Sequence, residues 1–124
     1  MLMLLAEYAS VHRDGTYSIV RGGIDKWQVK ELPADLVGTL FFEIPPDKVQ
    51  AGSCEMTISA RDSQGSNVFE MKGQAEIGQV IGTLRTSVHF VGRVAVAGQM
   101  TIEAAIGLET ARHVVNVILD PGAQ

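Results

Sequence analysis

Apolar and polar residues alternate with period two along most of this chain, and short turns containing Gly, Asp or Pro interrupt the alternation. The clearest run is Cys54-Glu55-Met56-Thr57-Ile58-Ser59-Ala60-Arg61. Cys54, Met56, Ile58 and Ala60 fall on one side of it, and Glu55, Thr57, Ser59 and Arg61 on the other. Successive side chains of a strand point to opposite faces, so such a run buries one face and wets the other. No long segment carries a helical period. The pattern predicts strands over residues 2–9, 16–21, 36–44, 54–61, 67–72, 84–91, 99–106 and 111–119. The second of these is expected to continue through 24–29 past a bulge at Gly22-Gly23, with Trp27 and Val29 on one face. In 36–44, Leu36, Leu40, Phe42 and Ile44 share a face, opposite Val37, Thr39, Phe41 and Glu43. In 84–91, Leu84, Val88 and Phe90 point inward, and Arg85, Ser87 and His89 outward.

The punctuation agrees with this reading. Asp14-Gly15, the stretch 62–66 and the stretch 107–110 are hairpin turns, and Pro45-Pro46 ends a strand because proline removes a ladder donor. One helical turn fits at 47–50. The segment 73–83 combines three glycines with apolar Ile77, Val80 and Ile81. It reads either as a connection that plugs the end of the core or as a loop whose apolar tip meets a ligand or a second subunit. About eight short strands with turns between them predict an all-β fold. The expected architecture is one antiparallel two-sheet sandwich over residues 1–124, of immunoglobulin-like or jelly-roll type.

Composition narrows the function classes. The 124 residues are 46% hydrophobic and only 19% charged, so few charges are available to solvate the surface. The net charge of −4 and the scattered Lys and Arg residues disfavour nucleic-acid binding. A single cysteine excludes an internal disulfide and suits a reducing compartment. The apolar start, residues 1–6, lacks a basic flank and stops at Glu7, which argues against a secretory signal. No stretch approaches the roughly 20 apolar residues of a membrane span. The expectation is a cytoplasmic, soluble protein that binds neither nucleic acid nor membrane.

The order of motifs resembles a family. An apolar strand (Leu4-Leu5-Ala6-Glu7-Tyr8-Ala9) is followed by an Asp14-Gly15 hairpin, a second strand, and Gly22-Gly23 before Trp27. Later come Glu43-Ile44-Pro45-Pro46 and an alternating strand ending Arg61-Asp62, with Gln64-Gly65 beyond it. This arrangement resembles small uncharacterised bacterial β-sandwich proteins. The resemblance implies an immunoglobulin-like or jelly-roll sandwich and brings no activity or site residues with it.

The residues themselves offer little catalytic chemistry. His12, His89 and His113 have no metal-pair spacing, so neither a metal nor a cofactor is expected. His113 reads as an exposed edge residue. Gly-x-Ser-x-Gly is absent, Ser53, Ser63 and Ser66 sit in turns, and no catalytic residue is assigned. A strand face carrying Arg85, Ser87 and His89 could hold an anionic group, or be an ordinary wet face. Trp27, Ile77, Val80, Ile81, Arg85 and His89 are therefore the candidate ligand contacts. Apolar residues also occupy the second face of several strands: Met3 and Leu5, Val37 and Phe41, Val114 and Ile118. Exposed apolar patches mark contacts, so Met3, Leu5, Val37 and Phe41 are the candidate interface. The reading is a non-enzymatic binding or assembly module that forms a homo-oligomer, most simply a two-fold dimer. The alternative is a sandwich that binds a small molecule or carbohydrate through the 73–83 loop and Trp27.

Overall fold

Strands form where the alternation is strongest, and they stack into two sheets. The computed structural model describes residues 1–49, 51–78 and 82–122. Among them lie nine strands: β1 (Leu2–Val11), β2 (Tyr17–Gly22), β3 (Lys26–Val29), β4 (Ala34–Ile44), β5 (Gly52–Arg61), β6 (Asn67–Ile77), β7 (Leu84–Val94), β8 (Gly98–Ile106) and β9 (Glu109–Leu119). A 3₁₀ turn at Pro46–Lys48 overlaps the expected helical turn at 47–50 only in Asp47 and Lys48; Val49 is already extended, and Gln50 lies outside the described residues. One sheet has the order β2-β1-β4-β7 and the other β3-β9-β8-β5-β6.

The sandwich closes over one core. Leu36, Leu40, Phe42 and Ile44 of β4 face Ile58, Met100, Ile102 and Val115 of the opposite sheet, all of them buried. These are the apolar halves of their alternations, as the pattern predicts. Each large side chain removed from water in this way contributes about 1.5–3 kcal/mol, before the entropy of ordering is subtracted. With β2 and β3 both set aside, β1-β4-β7 and β9-β8-β5-β6 follow the strand order of the immunoglobulin sandwich rather than the jelly roll.

Two three-residue hairpin loops share one geometry. The His12 amide donates to the Thr16 carbonyl and the Gly15 amide to the His12 carbonyl. Asp62, Gly65 and Ser66 repeat the pattern. Gly15 and Gly65 have φ of 85° and 80°, the left-handed step that closes a type I turn with a G1 bulge. At the second loop the nearly buried Asp62 carboxylate accepts from the Gln64 and Ser66 amides.

Four expectations change. The strand read as continuous from 16 to 29 divides between the sheets: Arg21 and Gly23 adopt φ of 50° and 79°, and the chain crosses from β2 to β3. β3 then pairs in parallel with β9, so the sandwich is not wholly antiparallel. The strand over 67–72 runs on to Ile77, because Gly73, Ala75 and Ile77 keep the inward alternation and pair with Met56, Cys54 and Gly52. His113 is half-buried within the sheet between β3 and β8, and its Nε2 donates to the Ile24 carbonyl at 2.7 Å. No helix among the described residues is long and apolar enough to cross a membrane.

Candidate functional site

The outer face of the four-stranded sheet holds the most exposed of the apolar residues that the alternation leaves outside the core, Val37 and Val91; on the other sheet Val114 and Ile118 of β9 stay outside it too, at 37% and 38% exposure. On β4 and β7 this face carries the register pairs Glu43–Arg85, Phe41–Ser87, Thr39–His89, Val37–Val91 and Asp35–Arg93. On β1 it carries Leu2, Leu4 and Ala6, opposite Glu43, Phe41 and Thr39. A hairpin from the same chain covers half of it. β1 pairs with β4 only as far as Ala6, and beyond that residue its pairing is with β2 alone.

Three contacts show where the hairpin goes. Tyr8 stacks on His89, with ring centroids 5.4 Å apart, level with Thr39. Tyr17 packs against Phe41 at 4.8 Å. Arg85, level with Glu43, donates from Nη1 to the Gly15 carbonyl at 3.0 Å, with its guanidinium 5.2 Å from the Tyr17 ring. The levels run Thr39, Phe41, Glu43, so the hairpin folds back along the sheet with its tip at Arg85. Ala9 and Phe41 are fully buried as a result. The Arg85 Nε, 3.8 Å from Glu43 Oε1, has no hydrogen-bond partner among the described residues; the side chain works as a clamp through its Nη1 and its flat face. At the tip the Asp14 carboxylate accepts from the Thr16 hydroxyl and amide, and these bonds hold its pKa below the ordinary aspartate value.

The interface expectation is corrected in three of its four residues. Met3 and Leu5 point into the core between the sheets, because β1 places Leu2, Leu4 and Ala6 on its outer side. Phe41 lies on the outer face as expected, yet Tyr17 covers it. Only Val37 stays accessible, at 63% exposure, beside its register partner Val91 at 71%. Two further residues, missed in the sequence, extend this patch. His89 neighbours Val91 on the same strand face, Tyr8 (50% exposed) stacks on His89, and Val20 (49% exposed) lies opposite Tyr8. The rim carries paired opposite charges, Asp35–Arg93 at 2.8 Å and Glu7–Arg21 at 3.6 Å.

The candidate ligand contacts are scattered. Arg85 and His89 share the outer face, where Thr39 Oγ1 and His89 Nδ1 form a 2.7 Å hydrogen bond and Arg85 holds the hairpin. Trp27 is half-buried on β3 and lines an open groove of about 530 Å³ with Ile24, Val37, Glu7, Arg21 and Lys26. Ile77 sits at the end of β6, on the opposite edge of the five-stranded sheet from β3, and lines a separate apolar cleft with Ile44, Cys54 and Ile106. The structure therefore does not bring Ile77 to Trp27. Val80 and Ile81 lie outside the described residues. No group of three or more His, Cys, Asp or Glu among the described residues could hold a metal ion. No family model, curated protein or solved structure matches this chain.

Proposed function

We propose that this protein is a non-enzymatic binding and assembly module that self-associates through the uncovered half of its four-stranded sheet. The observation that carries the reading is the run Val20–Tyr8–His89–Val91–Val37, whose four apolar members are 49–71% exposed. Apolar side chains left together on a surface favour contact, since burying them removes them from water. A second copy is the fitting occupant. A two-fold interface is self-complementary, and a patch rimmed by charges of both signs meets its own copy with positive against negative. Residence in a reducing, cytoplasmic compartment belongs to the same proposal and is supported by the lone free Cys54. So does kinship with small bacterial sandwich proteins, supported by the strand-and-turn motifs alone.

Sedimentation across a micromolar concentration range tests the proposal. The expected result is a mass that rises with concentration, and a lower mass for Val91→Glu and Val37→Glu at an unchanged melting temperature. A wild-type chain that stays monomeric at high micromolar concentration overturns it.

A second reading is favoured by the groove at Trp27. An indole beside Glu7, Arg21 and Lys26 offers a flat apolar surface with hydrogen-bonding groups around it, the combination that a sugar ring or similar small molecule needs. A saccharide that binds only the folded state raises its melting temperature, and Trp27→Ala removes that rise. A saccharide panel that leaves the melting temperature unmoved counts against this reading.

A further inference from the structure

The five-stranded sheet ends in the short β3 on one side and the long β6 on the other. β6 ends that sheet, and β5 is its only strand partner among the described residues. It is 11 residues long, contains no proline and carries no inward charge. Its inward positions are Phe69, Met71, Gly73, Ala75 and Ile77, and its outward positions are Glu70, Lys72, Gln74 and Glu76. The first part of the strand is occupied: a Cβ at Gly92 of β7 would lie 2.9 Å from Val68 and 3.2 Å from Phe69, so the two strands abut there. Among the described residues, the outer backbone groups from Met71 to Ile77 have no strand partner, and such an edge is a template for another strand.

We propose that a second copy of this chain pairs antiparallel along this stretch, centred on Gln74, and joins two five-stranded sheets into one. Charge selects the register. Directly opposite residues share a face, so a two-fold pairing sets each residue against one of the same parity. Centring on Gln74 sets Lys72 against the second copy's Glu76 twice over, with Met71 against Ile77 on the inner face. Centring on residue 73 sets Glu70 against Glu76, and centring on residue 72 sets Lys72 against itself; both juxtapose like charges. Centring on residue 71 draws on the Val68–Phe69 segment that β7 already occupies. This edge lies on the other sheet from the Val37–Val91 patch. With both contacts working, each chain has two separate self-complementary surfaces, and copies join into an extended assembly rather than a closed dimer.

The test uses the full chain carrying Val91→Glu, which removes the patch contact. Sedimentation is expected to find dimers in this parent. Adding Lys72→Glu or Glu76→Lys weakens the dimer by roughly tenfold, because each change sets two like-charged pairs face to face. Mixing the two variants, or combining both changes in one chain, restores the dimer, since either arrangement puts opposite charges together again. Independently, Gln74→Cys in a Cys54→Ser background oxidises to a linked dimer, because a residue on the two-fold faces its own copy at disulfide distance; Glu70→Cys does not. A Val91→Glu parent that remains monomeric, or charge variants that match the parent in affinity, overturns the edge pairing. If instead Val91→Glu keeps the wild-type mass while Lys72→Glu lowers it, the edge stands and the patch contact falls.

Discussion

On the outer side of the five-stranded sheet, β5 presents Glu55, Thr57 and Ser59, β8 presents Glu103, and β9 presents Arg112 with the partly exposed Val114 and Ile118. Water satisfies the polar groups, and the valine and isoleucine side chains are separated along β9 by Asn116. The equivalent side of the four-stranded sheet holds Leu4, Ala6, Phe41, Val37 and Val91, and solvent cannot serve them. The fold answers in two ways. Over Phe41 it lays its own β1–β2 hairpin, fastened by Tyr17, Tyr8 and Arg85. Val37 and Val91 it leaves exposed among the described residues. An apolar residue on a sheet's second face thus has two fates, an internal cover or an external partner, and the reach of a single hairpin separates them here.

The strongest way to break this comparison is at Phe41. Phe41→Ala is expected to cost about 3–5 kcal/mol of unfolding free energy, as for a core aromatic, whereas Thr57→Ala on the other outer face changes it by less than about 0.5 kcal/mol. Urea denaturation measures both, and equal small effects would mean that the hairpin covers nothing. By the same logic Phe41→Glu unfolds the chain rather than dissociating an oligomer.

Arg85→Met keeps the aliphatic stem and removes the clamp. With the side chain about a third exposed, the loss of one charged hydrogen bond and the Tyr17 contact is expected to cost about 1 kcal/mol. Hydrogen exchange should locate the effect: amides of β2 lose protection, and those of β5 and β8 keep theirs.

Val91→Glu sharpens the contrast between covered and bare ends. In the isolated chain it changes stability by less than about 0.5 kcal/mol, like a substitution at any exposed position. A large loss of stability would place Val91 under cover and remove the basis of the proposed contact.

The smallest effect is at the hairpin tip. Asp14 titrates below its ordinary value of 3.8 because the Thr16 hydroxyl and amide bind the ionised form. A depressed carboxylate favours the folded tip above its unfolded pKa, and that contribution disappears as the pH falls through the lowered value. Thr16→Val should therefore bring the Asp14 titration back toward the ordinary range, followed by the carboxyl carbon resonance.

Much of this was legible along the chain. The alternation in 36–44 assigned Leu36, Leu40, Phe42 and Ile44 to the core, and the alternation in 54–61 did the same for Ile58 and Ala60, because side-chain period is a local property of extended backbone. Asp14-Gly15 and the 62–66 loop announced their turns for the same reason: the left-handed step needs glycine whatever surrounds it. On β1, which is apolar on both sides, period alone could not say which side faced the core, and Met3 and Leu5 were placed on the outer one. The break at Arg21–Gly23, the parallel docking of β3 on β9 and the covering of Phe41 are relations between distant segments. They depend on which sheet edge a strand reaches and where a hairpin folds, and no local pattern encodes either. The sequence by itself therefore determined which residues avoid water. The tertiary structure decided which of them the chain could shelter, since shelter depends on what lies opposite in space.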